Sequence, residues 1–94
     1  MFGDDFLRGL DEFVKRDLQY WSKWNIDRDA KIIWNYDNAY DFWFGHTIGM
    51  ATRTAIQIFI DIYNRKPSQI ENLAIIGKIN EYSIQYKQAF EHLK

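Results

Sequence analysis

Apolar residues dominate the stretch from residue 38 to residue 65, and their spacing predicts one long central helix. On a helical wheel they spread over roughly 200° of the circumference, which is wider than the stripe of a typical surface helix. We therefore expect this helix to be buried on most sides. The apolar positions are Phe42, Phe44, Ile48, Ala51, Ala55, Ile56, Ile58, Phe59, Ile60, Ile62 and Tyr63.

The remaining arc of the central helix is polar. It carries His46, Arg53, Gln57, Asp61 and Asn64 at helical steps, and we call these five residues the polar ridge. One interpretation is that the ridge simply faces solvent. The other is that it holds a functional site.

An amphipathic pattern from residue 4 to residue 24 predicts the first helix. Asp17 lies within its apolar arc and breaks the pattern. A carboxylate in that place needs a partner or an outlet to solvent, because burying it alone is too costly. If the first and central helices run antiparallel, His46 is the expected partner and Arg53 the second choice. Such a pair is either a structural ion pair or part of a ligand site.

Residues 25 to 37 are too polar for a strand and contain no glycine for a tight hairpin, so we expect a short helical connector. Nine of the 17 aromatic residues lie between residues 20 and 44. Large rings fill a small core where helices meet at an angle, and they also form stacking platforms for ligands. The pattern is compatible with both roles.

Pro67 ends the central helix, and Ser68 with Glu71 three residues later predicts the capping box of the next helix. From there an a/d seam predicts a helix to residue 93 that packs antiparallel to the central helix. In this hairpin Ala89 comes opposite Gly45. The seam consists of Ile75, Ile79, Tyr82, Tyr86, Ala89 and Leu93.

These elements predict an all-α fold, a small helical bundle formed by residues 1–94 as a single domain. A long antiparallel hairpin, 38–65 with 68–93, is crossed by the N-terminal helix 4–24 and the short connector. With 94 residues the chain has little core to spare, so covering a surface with a partner chain would add stability.

Composition removes several function classes. A hydrophobic content of 47% excludes a disordered chain, and a net charge of -1 makes nucleic acid an unlikely partner. The chain has no cysteine and therefore no disulfide or thiolate site. Residues 42–60 contain Arg53 and several polar residues, which argues against a membrane span. The N-terminus does not resemble a signal peptide, so a cytoplasmic location is expected.

Catalytic motifs are not found in the sequence. His46 and His92 are the only histidines and neither has metal-ligand spacing, so no metal is expected. The chain carries neither a nucleophile elbow nor a phosphate-binding glycine loop. The pattern therefore favours a protein that is not an enzyme and has no cofactor.

Two functions are compatible with these patterns. The favoured one is a helical module acting through protein association, as a homodimer or with another protein, burying part of the central helix or the aromatic cluster. The alternative is a small-ligand-binding protein, or less plausibly an enzyme, with a polar pocket of Asp17, His46 and Arg53. The residues predicted to take part in binding are Asp17, His46, Arg53, Gln57, Trp43 and Tyr82.

Overall fold

The structure is a computed structural model that describes residues 2–23 and 36–94. Within these ranges the chain is all-α, which confirms the predicted class. Residues 25–35 of the predicted connector, and Trp24 at the predicted end of the first helix, lie outside the described residues. The elements are α1 (Asp4–Lys23), α2 (Ala39–Tyr63), α3 (Gln69–Glu81), α4 (Ser83–Ala89) and a final 3₁₀ turn (Glu91–Leu93).

Helix α1 runs antiparallel to α2. At one end of the pair the backbone N–H of Gly3 donates to the hydroxyl of Tyr63 at 2.8 Å. At the other end the rings of Trp21 and Trp43 lie 5.9 Å apart. Since α3 and α4 return along α2 after the turn at Pro67, they run in the same direction as α1, and the three segments enclose one core.

The core is formed by a stripe along α2 that recurs every fourth residue. The buried residues of this stripe are Trp43, Thr47, Ala51, Ala55 and Phe59. Ala51 and Ala55 belong to the same buried cluster as Phe6, Leu10 and Val14 of α1 and Ile75, Ile79 and Tyr86 of the last two helices. Burying these side chains is the main stabilising contribution to a bundle of this size.

The ends of α2 follow local sequence signals. The side chain of Asn38 accepts a hydrogen bond from the backbone N–H of Asp41 at 2.9 Å, which caps the first turn. The helix ends at Asn64, whose φ of 57° is left-handed, a conformation that asparagine tolerates better than most residues.

The capping box after Pro67 is confirmed. The hydroxyl of Ser68 accepts from the backbone N–H of Glu71 at 3.2 Å, and the backbone N–H of Ser68 donates to the Glu71 carboxylate at 2.9 Å. Arg65 binds the same carboxylate with both of its terminal nitrogens, at 2.7 and 2.8 Å. The turn between α2 and α3 is therefore held by three neighbouring side chains.

The predicted single helix over 68–93 is interrupted at Tyr82, and its last residues form the separate 3₁₀ turn Glu91–Leu93. The backbone N–H of Tyr82 bonds to the carbonyl of Ile79 at 3.0 Å, a tighter step than that of an α-helix. Its φ of -94° and ψ of 2° differ from helical values. The side chain of Tyr82 reaches α1 at this point, so a tertiary hydrogen bond coincides with the interruption.

Two predicted details of the hairpin also differ. Gly45 was expected opposite Ala89, but it is exposed, and a Cβ added there would meet nothing within 4 Å. Phe90, outside the predicted seam, is fully buried. It lies four residues after Tyr86 and therefore continues the buried face of α4.

Candidate functional site

Asp17 is held by two hydrogen bonds within the bundle. Its Oδ2 accepts from the hydroxyl of Tyr86 on α4 at 2.7 Å, and its Oδ1 accepts from Nε1 of Trp21 at 3.1 Å. Both carboxylate oxygens are thus used by the fold itself. A carboxylate on the apolar face does have a partner, as the pattern required.

The predicted pairing of Asp17 with His46 or Arg53 is wrong. In the described ranges 2–23 and 36–94, neither a hydrogen bond nor an ion pair joins Asp17 to either residue. The reason is the rotation of the helices, since Asp17 meets α4 while Arg53 lies on the exposed side of α2.

Tyr86 is fully buried, and its environment favours the neutral phenol. Burial, followed by the hydrogen bond to Asp17, raises the pKa of Tyr86 well above its ordinary value. A neutral phenol donating to a carboxylate is a charge-assisted hydrogen bond, which is stronger than one between neutral groups.

A second bond of the same kind lies closer to the start of α1. The hydroxyl of Tyr82 donates to Oδ1 of Asp11 at 3.2 Å, and Lys15 pairs with Oδ2 of Asp11 at 2.8 Å. The hydrogen bond from Lys15 lowers the pKa of Asp11, and burial raises the pKa of Tyr82. We call Asp17–Tyr86 and Asp11–Tyr82 the carboxylate–phenol pairs. The first joins α1 to α4, and the second joins α1 to the residue where α3 passes into α4.

Most of the polar ridge faces solvent. Arg53 and Gln57 are exposed, and Nε2 of Gln57 donates to Oδ1 of Asp61 at 2.9 Å. His46 is half-buried, and its ring lies parallel to that of Phe42 at 6.0 Å. The structure therefore brings neither His46 nor Arg53 into a common site with Asp17.

Trp43 belongs to a second buried cluster at the end of the bundle, together with Trp21 and Phe90. The rings of Trp21 and Phe90 lie 5.5 Å apart, and Nε1 of Trp43 donates to the hydroxyl of Tyr36 at 3.1 Å. Trp43 is only 5% exposed, so it acts here as a core residue. A binding role for the six predicted residues stays a prediction from the sequence.

The feature missed by the sequence analysis is an apolar face that α3 and α4 turn to solvent. Ile70, Leu73 and Ile76 of α3 are 69%, 63% and 51% exposed, and Ile84 of α4 is 66% exposed. We call these four residues the outer face. Exposed apolar side chains that cluster on one part of a surface are more informative than single ones, so the outer face is a candidate interaction surface.

The sequence did contain a signal for the outer face. Ile70, Leu73, Gly77, Asn80 and Ile84 follow one another at steps of 3, 4, 3 and 4, which form a second heptad seam beside the buried one. Only one of two such seams on a helix can face the core of a small bundle. The described residues of a single chain therefore leave the second seam uncovered.

The outer face carries no uncompensated charge. Helix α3 contains three charged residues, and each has an ion-pair partner: Glu71 binds Arg65 at 2.7 Å, and Lys78 binds Glu81 at 2.9 Å. The surface is thus neutral as well as apolar, and it offers little attraction to a highly charged partner.

Residues 2–23 and 36–94 contain no group of three or more His, Asp or Glu side chains that could hold a metal ion. None of the helices in these ranges combines the length and the apolar character needed to cross a membrane.

No protein-family model, curated protein or solved structure matches the chain. A role for the chain must therefore rest on the geometry of its own residues. Within the described residues, the outer face consists of large apolar side chains that do not contribute to the buried core.

Proposed function

We propose that this protein acts through protein association, and that it forms a homodimer through the outer face of α3 and α4. The observation that carries the proposal is the exposure of Ile70, Leu73 and Ile76 on α3 and of Ile84 at the start of α4, each more than half exposed. Removing such surface from water is the main driving force of association. A second copy of the chain supplies a surface of the same shape and polarity.

Charge favours a second copy over a differently charged partner. In an interface with twofold symmetry the same patch meets itself, so any net charge on it would be repelled by its own copy. The outer face avoids this repulsion, because Glu71 and Lys78 are already paired within the chain. The interface that we propose therefore differs from the one predicted from the sequence, which buried part of the central helix or the aromatic cluster. Helix α2, which lies within the described residues, exposes only Met50 and Ile62 among its large apolar residues.

The size of the outer face sets the expected strength of association. Burying a whole Ile or Leu side chain contributes about 1.5–3 kcal/mol, so covering the exposed parts of four such residues on each of two copies contributes about 8–15 kcal/mol. Association itself costs about 4–15 kcal/mol in lost freedom. The two contributions are of similar size, so only a few kcal/mol of net free energy remain, and we expect a weak, reversible dimer with a dissociation constant of about 0.1–1 mM.

The alternative of a ligand pocket lacks a comparable supporting observation. Such a pocket requires Asp17, His46 and Arg53 to converge. Both carboxylate oxygens of Asp17 instead accept hydrogen bonds from Tyr86 and Trp21. Tyr82, which was predicted to take part in binding, donates its hydroxyl to Asp11. We therefore favour association. The cytoplasmic location stays an expectation from the sequence.

The test is the solution mass across a range of concentrations, measured by sedimentation equilibrium. The wild-type mass should rise from that of one chain towards twice that value as the concentration increases. Leu73→Glu should remain monomeric with an unchanged helical circular dichroism spectrum, since it places a charge in the outer face. The control is Met50→Glu, which alters an apolar side chain of similar exposure on α2 and should dimerise like the wild type.

Two results would contradict the proposal. One is a wild-type protein that keeps the mass of a single chain at millimolar concentration. The other is a Leu73→Glu variant that dimerises as well as the wild type, which would locate the interface elsewhere.

A further inference from the structure

We infer that the two copies pack with their α3 helices antiparallel and cross at Gly77; this inference rests on the proposed function. Gly77 is exposed, and a Cβ added to it would meet nothing within 4 Å. Ile70 and Ile84 lie seven residues before and after it. The backbone at the middle of the outer face is therefore open, with an exposed isoleucine on either side.

The glycine suits the position where two helices come closest. Without a side chain, it allows another helix to approach its backbone, whereas a larger residue would hold the helices apart. Gly77 lies in the interior of α3, where glycine costs helical stability relative to alanine. Its buried neighbours do not require it, since the space beyond its Cα is open. Close approach of a second chain gives the glycine a use.

The symmetry of the outer face favours the antiparallel arrangement. Around a twofold axis at Gly77, Ile70 comes level with Ile84 of the partner subunit, so an apolar cluster forms on each side of the crossing. Ile70 lies roughly 10 Å from the crossing at 1.5 Å per residue, and Ile84 lies a similar number of residues beyond it, after the interruption at Tyr82. Leu73 comes level with Asn80 and Glu81 of the partner subunit. The exposed side chain of Leu73 covers the CH₂ groups of these two polar residues.

The parallel arrangement is less favourable for electrostatic reasons. It would align the dipoles of the two helices in the same direction, and parallel dipoles that lie side by side repel each other. Opposed dipoles attract.

Disulfide cross-linking of single-cysteine variants tests this geometry, because the chain contains no cysteine of its own. A disulfide requires the two Cα atoms to approach within about 7 Å. Gly77→Cys lies on the proposed axis and should cross-link with its own copy under mild oxidation. Ile70→Cys and Ile84→Cys should each fail to do so alone, since like residues are roughly 20 Å apart. Mixed together, these two variants should form a disulfide between them.

Gly49→Cys is the matched control. Gly49 is also an exposed helical glycine with nothing within 4 Å of an added Cβ, but it lies on α2, away from the outer face. It should cross-link no faster than chance collision allows. A second pair of variants adds bulk instead of a thiol: Gly77→Leu should raise the dissociation constant at least about tenfold, whereas Gly49→Leu should leave it unchanged.

The outcomes separate this inference from the proposed function. Self-cross-linking of Ile70→Cys and of Ile84→Cys would indicate parallel helices and overturn the inference, while leaving the dimer in place. A dimeric mass with neither a disulfide between two Gly77→Cys chains nor one between Ile70→Cys and Ile84→Cys would overturn it as well. So would a Gly77→Leu variant with the dissociation constant of the wild type. A monomeric wild-type mass would overturn the proposed function and this inference together.

Discussion

The hydroxyl of Tyr86 donates a 2.7 Å hydrogen bond to Oδ2 of Asp17, and this contact joins residues 69 positions apart in the chain. Tyr86 is fully buried, whereas Asp17 is half-buried at the edge of the core. The pair therefore attaches α4 to α1 where the main core meets the second buried cluster, which is formed by Trp21, Trp43 and Phe90. Its strength should be measurable as a change in folding stability.

Replacing Tyr86 with Phe should lower the free energy of unfolding by about 1.5–3 kcal/mol, the usual range for a hydrogen bond to a charged group. The ring and its packing are kept, so the loss reports on the hydroxyl. Urea unfolding monitored by circular dichroism measures the change. Tyr20→Phe is the control, because Tyr20 is 55% exposed, and it should change stability by less than about 0.5 kcal/mol. Equal effects of the two substitutions would contradict a stabilising role for the Tyr86–Asp17 bond.

The same tyrosine should make stability sensitive to alkaline pH. Burial, and then the bond to Asp17, raises the pKa of Tyr86 in the folded state above the value of about 10 in the unfolded state. Its contribution is therefore fully present below pH 10 and falls as pH rises further, because only the unfolded chain then releases the proton. The stability difference between wild type and Tyr86→Phe should shrink above pH 10 in urea unfolding experiments. A constant difference up to pH 11 would be inconsistent with the raised pKa.

The turn between α2 and α3 should respond to acid. The hydrogen bond from Arg65, followed by the backbone N–H of Ser68, lowers the pKa of Glu71 to about 2. The contribution of Glu71 is therefore present above its unfolded pKa of about 4.5 and is lost as pH falls from there towards 2. Glu71→Gln should lower the melting temperature at pH 7, and the two proteins should converge near pH 2. Equal melting temperatures of the two proteins already at pH 5 would contradict the lowered pKa of Glu71.

The cap itself can be tested separately. Ser68→Ala removes the acceptor for the Glu71 backbone N–H and should cost about 1 kcal/mol at neutral pH. The exposed helical residue Glu12 provides the control, since Glu12→Gln alters a carboxylate away from any cap. Thermal unfolding of both variants gives the comparison, and an unchanged melting temperature for Ser68→Ala would mean that the hydroxyl contributes nothing to the helix start.

Thr47 offers a gain in stability. It is 1% exposed, and its hydroxyl has no hydrogen-bond partner in the described part of the chain. Valine has the same shape without the hydroxyl, so Thr47→Val should raise the free energy of unfolding by about 1 kcal/mol. Thr52→Val is the control, because the hydroxyl of Thr52 donates to the carbonyl of Ile48 at 2.9 Å. A loss of stability in Thr47→Val would show that its hydroxyl is bonded after all.

Local signals in the sequence determined the helices and most of their ends. The capping box of Ser68 and Glu71 was predictable because its parts lie three residues apart and act on one backbone turn. The apolar face of α1 was predictable for a similar reason, since helical spacing alone brings Phe6, Leu10 and Val14 to one side. Such patterns need no knowledge of the neighbouring helices.

Only the tertiary structure decided which groups meet and which faces stay exposed. The sequence indicated that Asp17 needs a partner, but the rotation of α1 about its axis selected Tyr86 over His46. Likewise, α3 carries two apolar seams, and packing against α1 and α2 buries Ile75 and leaves Leu73 63% exposed. Both outcomes depend on contacts between residues far apart in the chain. The spacing within a helix fixes relative positions on that helix but not its orientation towards the others.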